Sequence, residues 1–330
     1  MRLSFHSDGW NWGAAEREWS ILRGRMSTVA RGFAAALADV ELSDGWVQLE
    51  LAVGAERSFH GLVWRAADDR NYESFYVRPH QVGNPDSIQY TPVTNGVSSW
   101  QLYHGKGFWA PLTFPIGDWF RIRVDFVGGR AEVRVGDLTQ VALVCPLKSP
   151  TRRGRIGVLV GGPDVHLADL DYGDDADIDP TPPPESSPPS GVIGTWEVSD
   201  AFAEAEIDRA RAETHSWTSL ESEPGGLLDL ARVQGIEGER NTAFARATIP
   251  AAQAGTKALE LGFSDRAVVL LNGVQLYRGD ATYLSRDYRF LGSIGWHDTL
   301  YLPLQEGDNE LLVAVSEDVG GWGVQARVVD

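Results

Sequence analysis

Apolar and polar residues alternate along much of this chain. In WVQLELAV (46–53), Val47, Leu49, Leu51 and Val53 fall on one side. In WFRIRVDFV (119–127), Phe120, Ile122, Val124 and Phe126 alternate with Arg121, Arg123 and Asp125. Side chains on a strand point to opposite faces in turn, so this period of two predicts half-buried strands. Val127-Gly128-Gly129-Arg130 then leads into AEVRVG, a hairpin signal through Gly-Gly. GLVWRA (61–66), YESFYVR (72–78), SIQYT (87–91), RIGVLVG (155–161) and VHLADLDY (165–172) continue the series. Short strands punctuated by Gly, Pro, Asn and Asp predict a β-sandwich. RGFAAALADV (31–40) stands apart, because alanine favours helix while its neighbours favour strand.

The C-terminal part follows the same logic. ALELGF, AVVLL, VQLY, DTLYLPL, ELLVAVS and WGVQARVV read as strands, and AEAEIDRARAE (203–213) has the composition of one short helix. Asn272-Gly273, between AVVLL and VQLY, predicts a type I′ hairpin turn, in which both central residues need positive φ. Arg278-Gly279-Asp280 spells an adhesion tripeptide just after the returning strand. Gly-Asp is ordinary turn chemistry there, so coincidence is the expectation.

Between the two strand-rich parts lies an abrupt change. Residues 174–190 hold six prolines and five acidic residues, with no Lys or Arg. Polyproline geometry and like-charge repulsion favour an extended spacer. The expected organisation is all-β: a sandwich over 1–173, an acidic Pro-rich linker over 174–191, and a second sandwich over 192–330. A calcium loop starting at Asp175 fails, because Pro180 and Ser186 stand where Gly and Glu are needed.

At 330 residues the chain has ample material for two cores. The net charge of −17 disfavours nucleic acid and anionic membranes as partners. Cys145 is the sole cysteine, which excludes an intrachain disulfide, and its apolar setting in VALVCPL predicts a buried inert thiol. No signal-peptide core or membrane-length apolar run is visible, so a reducing cytoplasm is the expected compartment.

The segments REWSILRGRMS, DGWVQLELAV, FHGLVWRAADDRNYESFYVR, DWFRIRVDFVGGRAEVRVGD and RGRIGVLVGGPDVHLADLDY resemble, in that order, the concanavalin A-like lectin and glucanase jelly rolls, laminin-G-like modules included. The resemblance covers nearly all of 1–173. Residues 192–330 resemble the galactose-binding-domain-like jelly rolls, through LELGFSDRAVVLLNGVQLYRGD and LPLQEGDNELLVAVSEDVGGWG. These resemblances imply two glycan-associated sandwich folds and leave the ligand open.

Glucanases of the first fold carry two carboxylates on one strand in a Glu-x-Asp-x-Glu type of run. No such run occurs in 1–173; Glu132 and Asp137 differ in parity. No Gly-x-Ser-x-Gly elbow or phosphate loop is present, and the closest histidines, His60 and His80, are 20 residues apart. No zinc motif follows from such spacing.

Sugar sites pair aromatic platforms with a few polar anchors. SSWQLYHGKGFWAP (98–111) supplies Trp100, Tyr103, His104 and Trp109, and upstream strands supply Arg65, Tyr76 and Arg78. Packing is the ordinary role of any one large aromatic, so the cluster counts for more than its members. In the second part, Arg286, Asp287 and Arg289 are either loop-pinning ion pairs or ligand contacts, with Trp322 at the same end of the sandwich. Both resembled folds commonly hold structural calcium, and Asp265, Asp280, Glu317 and Asp318 are the available oxygen ligands.

Non-catalytic recognition of an oligosaccharide or polysaccharide is the leading reading. Glycan cleavage by an atypical carboxylate pair is the second. A scaffold that binds a protein partner is the third.

Overall fold

The structure, a computed structural model, describes residues 1–184, 189–287 and 292–329. The chain is almost entirely β and divides into two compact units. Unit 1 comprises Met1–Val93 and His104–Pro184; unit 2 comprises Thr94–Tyr103 and the chain from Glu185 onward. Among the described residues, no helix is long and apolar enough to cross a membrane.

In unit 1 antiparallel neighbours follow the order Trp109–Ala110, Ile88–Thr94, Tyr72–Val77, His60–Ala66, Gly154–Gly173, Gly45–Val53, Phe120–Val127, Arg130–Val135, Leu143–Pro146. The long strand Gly154–Gly173 serves two layers. Its first half pairs with His60–Ala66 and its second half with Gly45–Val53. The register breaks between Gly162 and Val165, which is where a continuous ladder bends from one layer to the other. Leu62, Trp64, Phe75 and Tyr90 face Leu49, Ile122, Val124 and Phe126 across the core. Trp64 and Phe126 stack with centroids 6.0 Å apart. The alternation seen in 46–53 and 119–127 thus buries the expected face.

Residues 31–40 are strand throughout, inside Arg25–Leu42. Helix propensity loses here because Ala34–Ala36 ladder against Val158–Val160, and small side chains permit the close approach. Residues 174–184 belong with unit 1, not with a free spacer. The Trp46 indole donates to Asp175 at 2.7 Å, and Gly129 N–H donates to Pro180 O at 3.2 Å.

Unit 2 is a two-sheet sandwich. One sheet has the order Trp217–Glu221, Thr195–Ser199, Thr242–Ala251, Gly307–Ser316, Arg266–Leu271, Val274–Asp280. The other has Leu227–Asp229, Gly323–Val329, Gly255–Phe263, Asp298–Leu304. Trp196, Leu261, Val313 and Trp322 lie in the core between them. Residues 203–213 yield only a single turn of α-helix, Ile207–Ala210, preceded by the 3-10 turn Glu204–Glu206.

Asn272 and Gly273 have φ of 50° and 78°, the type I′ geometry, and Leu271 pairs with Val274 across the turn. Arg278, Gly279 and Asp280 lie within the returning strand, opposite Val268, Ala267 and Arg266. The expectation that they follow that strand is corrected. The Asp280 carboxylate accepts from Thr282 N–H and Oγ1, so it is engaged in capping the next turn.

Candidate functional site

The outward face of the second layer of unit 1 carries an organised open polar surface. It follows from strand parity. With Val47, Leu49 and Leu51 buried, Trp46, Gln48 and Glu50 point the other way. Register places Asp125, Arg123 and Arg121 opposite those three. One row across the strands therefore reads Arg2, Asp171, Gln48, Arg123, Arg134. Asp169, Asp171, Arg2 and Arg25 complete a recess of about 400 Å³ with Gln48, Glu50 and Arg121.

Every charge in this recess is answered by another. Arg25 binds Glu50 and reaches Asp169 at 2.6 Å. Arg121 Nε lies 3.3 Å from Glu50, and Arg2 binds Asp171 at 2.8 Å. Farther along the face, Arg123 and Arg134 both bind Asp125, and Arg134 and Arg130 both bind Glu132. Burial alone would raise the pKa of Glu50, but the guanidiniums of Arg25 and Arg121 outweigh it and hold this carboxyl below its usual range. Two tryptophans flank the network. Arg123 lies 4.1 Å over the Trp46 ring, and Arg25 lies 5.1 Å over the Trp119 ring. Both indoles are partly exposed. None of the recess residues stood among the expected ligand contacts. The signal that pointed to them was the polar half of WVQLELAV and RIRVDF; their partners Arg2, Arg25, Asp169 and Asp171 come from remote strands.

The expected contacts are distributed otherwise. Arg65 is 1% exposed, with φ of 49°, and donates to Ser43 O, Gly128 O and Asp44. Its guanidinium is used up inside unit 1. Tyr76 and Arg78 do come together, in a buried network. Tyr76 OH donates to Gln89 and accepts from Thr91 Oγ1 and Arg78, and Arg78 binds Asp86 at 2.7 Å. The aromatic cluster of 98–111 is divided. His104 and Trp109 remain in unit 1, with ring centroids 5.6 Å apart, whereas Trp100 and Tyr103 belong to unit 2.

In unit 2, Trp100 meets Tyr283 edge to face at 6.2 Å. Tyr103 is buried; its hydroxyl donates to Glu223 and accepts from Arg232 at 3.2 Å. Asn95 donates to Ala231 O, Gln101 N–H donates to Gly320 O at 2.7 Å, and Ile294 N–H donates to Gln101 O. Thr94–Tyr103 therefore fills the loop end of unit 2 where a ligand site was expected. Gly320 is required there, since a Cβ would sit 2.1 Å from Gln101 Oε1. Trp322 is fully buried and donates to Val315 O, so it belongs to the core. Arg286 binds Asp298 at 2.6 Å, Asp287 is exposed, and Arg289 lies outside the described residues.

The four candidate calcium ligands do not converge as a set. Asp318 is taken by Arg266 and Asp280 by Thr282. Asp265 and Glu317 are buried neighbours; burial, then mutual repulsion, pushes Glu317 well above the usual carboxylate range. Among the described residues, no group of three or more His, Cys, Asp or Glu is arranged to hold a metal ion.

No protein-family model matches the chain, and no curated protein matches it. Similar solved structures include the carbohydrate-binding module CBM66 from Bacillus subtilis, at 15% identity and TM-score 0.39, covering 50% of this chain and 94% of that one. A Bacillus licheniformis beta-glucanase matches at 12% identity and TM-score 0.35, covering 51% and 93%. The Ca2+-bound exoplasmic/lumenal domain of VIP36 matches at 12% identity and TM-score 0.34, covering 51% and 84%. At these identities and scores the overlap carries no residue role into this chain.

Proposed function

We propose that the chain binds a neutral glycan without cleaving it, and that the recess around Gln48, Glu50 and Arg121 in unit 1 is the binding surface. The observation that carries this reading is the alternation of guanidiniums and carboxylates around Gln48 on an open face flanked by Trp46 and Trp119. A sugar hydroxyl both donates and accepts, so neighbouring hydroxyls match a row of alternating acceptors and donors. The apolar faces of sugar rings match an indole. Each hydrogen bond adds about 1 kcal/mol net, which places affinity in roughly the micromolar-to-millimolar range.

Neutral sugars are favoured because the six recess charges balance: Arg2, Arg25 and Arg121 against Glu50, Asp169 and Asp171. An anionic sugar would have to displace an internal carboxylate from its guanidinium. Glu50 is unsuited to the acid role in glycosidic hydrolysis, because Arg25 and Arg121 favour its ionised form. Titration calorimetry with neutral tetrasaccharides of glucose, mannose and galactose tests the reading. Binding that is weakened in Glu50→Gln and in Trp119→Ala supports it; no heat with any of the three contradicts it.

A further inference from the structure

Unit 2 carries an open groove of about 670 Å³ beside the edge strand Val274–Asp280, lined by Glu204, Asp208, Glu239, Asn241 and Arg278. A second recess of about 240 Å³ shares Glu204 and Arg278 with it and adds Arg266, Asp280 and Ser316. The two arginines differ sharply. Arg266 is locked: Nε lies 2.9 Å from each oxygen of Glu204, and its terminal nitrogens bind Asp318 at 2.7 and 2.8 Å. The Arg278 side chain is exposed and forms no hydrogen bond or ion pair among the described residues. In the same groove the Glu239 carboxylate is likewise unengaged among the described residues, and Asp208 pairs with Arg211 at 3.7 Å.

We propose that this groove is a second, separate glycan site, in which neighbouring hydroxyls of a neutral sugar bridge Arg278 and the carboxylates of Glu239 and Asp208. The proposal rests on the glycan reading for its ligand class. Its own basis is the free donor fork of Arg278 and the free carboxylate of Glu239, both lining one space of ligand size. An anionic ligand would meet one free guanidinium but also the free carboxylate of Glu239, with Asp208 only loosely paired to Arg211 beside it. A cationic ligand would be opposed by Arg278. A diol accepts from the first and donates to the second, with no charge to compensate. Gly279 serves the same edge: a Cβ there would lie 2.4 Å from the Tyr277 ring and 2.5 Å from Phe263. The strand is thereby held flat against its neighbours with Arg278 turned outward.

Calorimetry on the full chain with the same neutral tetrasaccharides, and with uronic-acid oligosaccharides of equal length, decides it. Arg278 is exposed, so Arg278→Ala does not put folding at risk. Two binding events in the parent chain, one lost in R278A and the other in E50Q, support the proposal. A single event lost in R278A and unaffected by E50Q also supports it, and contradicts the unit 1 reading. A single event lost only in E50Q overturns the proposal and leaves the unit 1 reading standing. Uronic-acid binding that is at least as tight and depends on Arg278 overturns the neutral-ligand class. Absence of all binding overturns both.

Discussion

Arg121 stands directly across from Glu50 in the antiparallel register, with Nε 3.3 Å from Glu50 Oε2. Glu50 also holds Arg25, so one carboxylate pairs with two guanidiniums that approach from different strands. Glu50→Gln should therefore loosen both. The pair is partly exposed, so we expect a stability loss of only about 1 kcal/mol. Loss of sugar binding should be larger, roughly tenfold or more if one charge-assisted hydrogen bond disappears. Because the pKa of Glu50 is lowered in the folded chain, its contribution is full above the usual carboxylate range and is lost on acidification. Chemical denaturation of both chains across acidic pH checks this: the difference between them should shrink as pH falls.

Two buried groups make the units respond to pH in opposite senses. In unit 1, burial lowers the pKa of His60 to about 4, and the ring accepts from Gly161 N–H. The unfolded chain binds the proton more readily, so this part of unit 1 is fully stable above the ordinary histidine range and weakens as pH falls toward 4. In unit 2, burial raises the pKa of Asp229 to about 7, against the pull of Arg232. There the folded chain binds the proton more readily, so stability is full below the ordinary aspartate range and is lost as pH rises through 7. Hydrogen exchange, corrected for the intrinsic pH dependence, should show protection at Gly161 falling in acid and protection at Ala231 falling toward neutrality. Asp229→Asn keeps an acceptor for Ala231 N–H and should flatten the second trend.

Gly320 has φ of 131° and packs on Gln101, which is fully buried. Gly320→Ala combines backbone strain with a clash against the buried Gln101 side chain, so a loss on the order of 3 kcal/mol is expected. Faster exchange at Gln101, which donates to Gly320 O, and at Ile294, which donates to Gln101 O, would register it. Unchanged exchange at both would contradict the role assigned to Thr94–Tyr103 in unit 2. By contrast, Gly273→Ala meets no atom within 4 Å and should cost only the left-handed strain, about 1 kcal/mol.

The fold was largely legible in the sequence because its signals are local. Alternation in 46–53 and 119–127, and the Asn272-Gly273 pair, specify face and turn without help from distant residues. The alanines of 31–40 were ambiguous because local propensity and tertiary pairing pull in opposite directions there. The candidate site was less legible. Gln48, Glu50 and Arg121 follow from parity, but Arg2, Arg25, Asp169 and Asp171 reach the same recess only through the register of long-range strand pairs. Tyr103 and Arg65 drew attention as polar, aromatic or charged residues. Burial then assigned them to internal networks, which composition does not reveal. The placement of Thr94–Tyr103 in unit 2 had no compositional mark at all, since the proline-rich segment was the sole boundary signal.

The most direct test of the central claim is calorimetric titration of the intact chain with neutral tetrasaccharides, repeated on Glu50→Gln and Trp119→Ala. Saturable binding in the parent chain, weakened about tenfold or more in each variant, is the predicted result. Binding of equal strength in all three chains, or none in any, would contradict the assignment of the Glu50–Arg121 face as a glycan site.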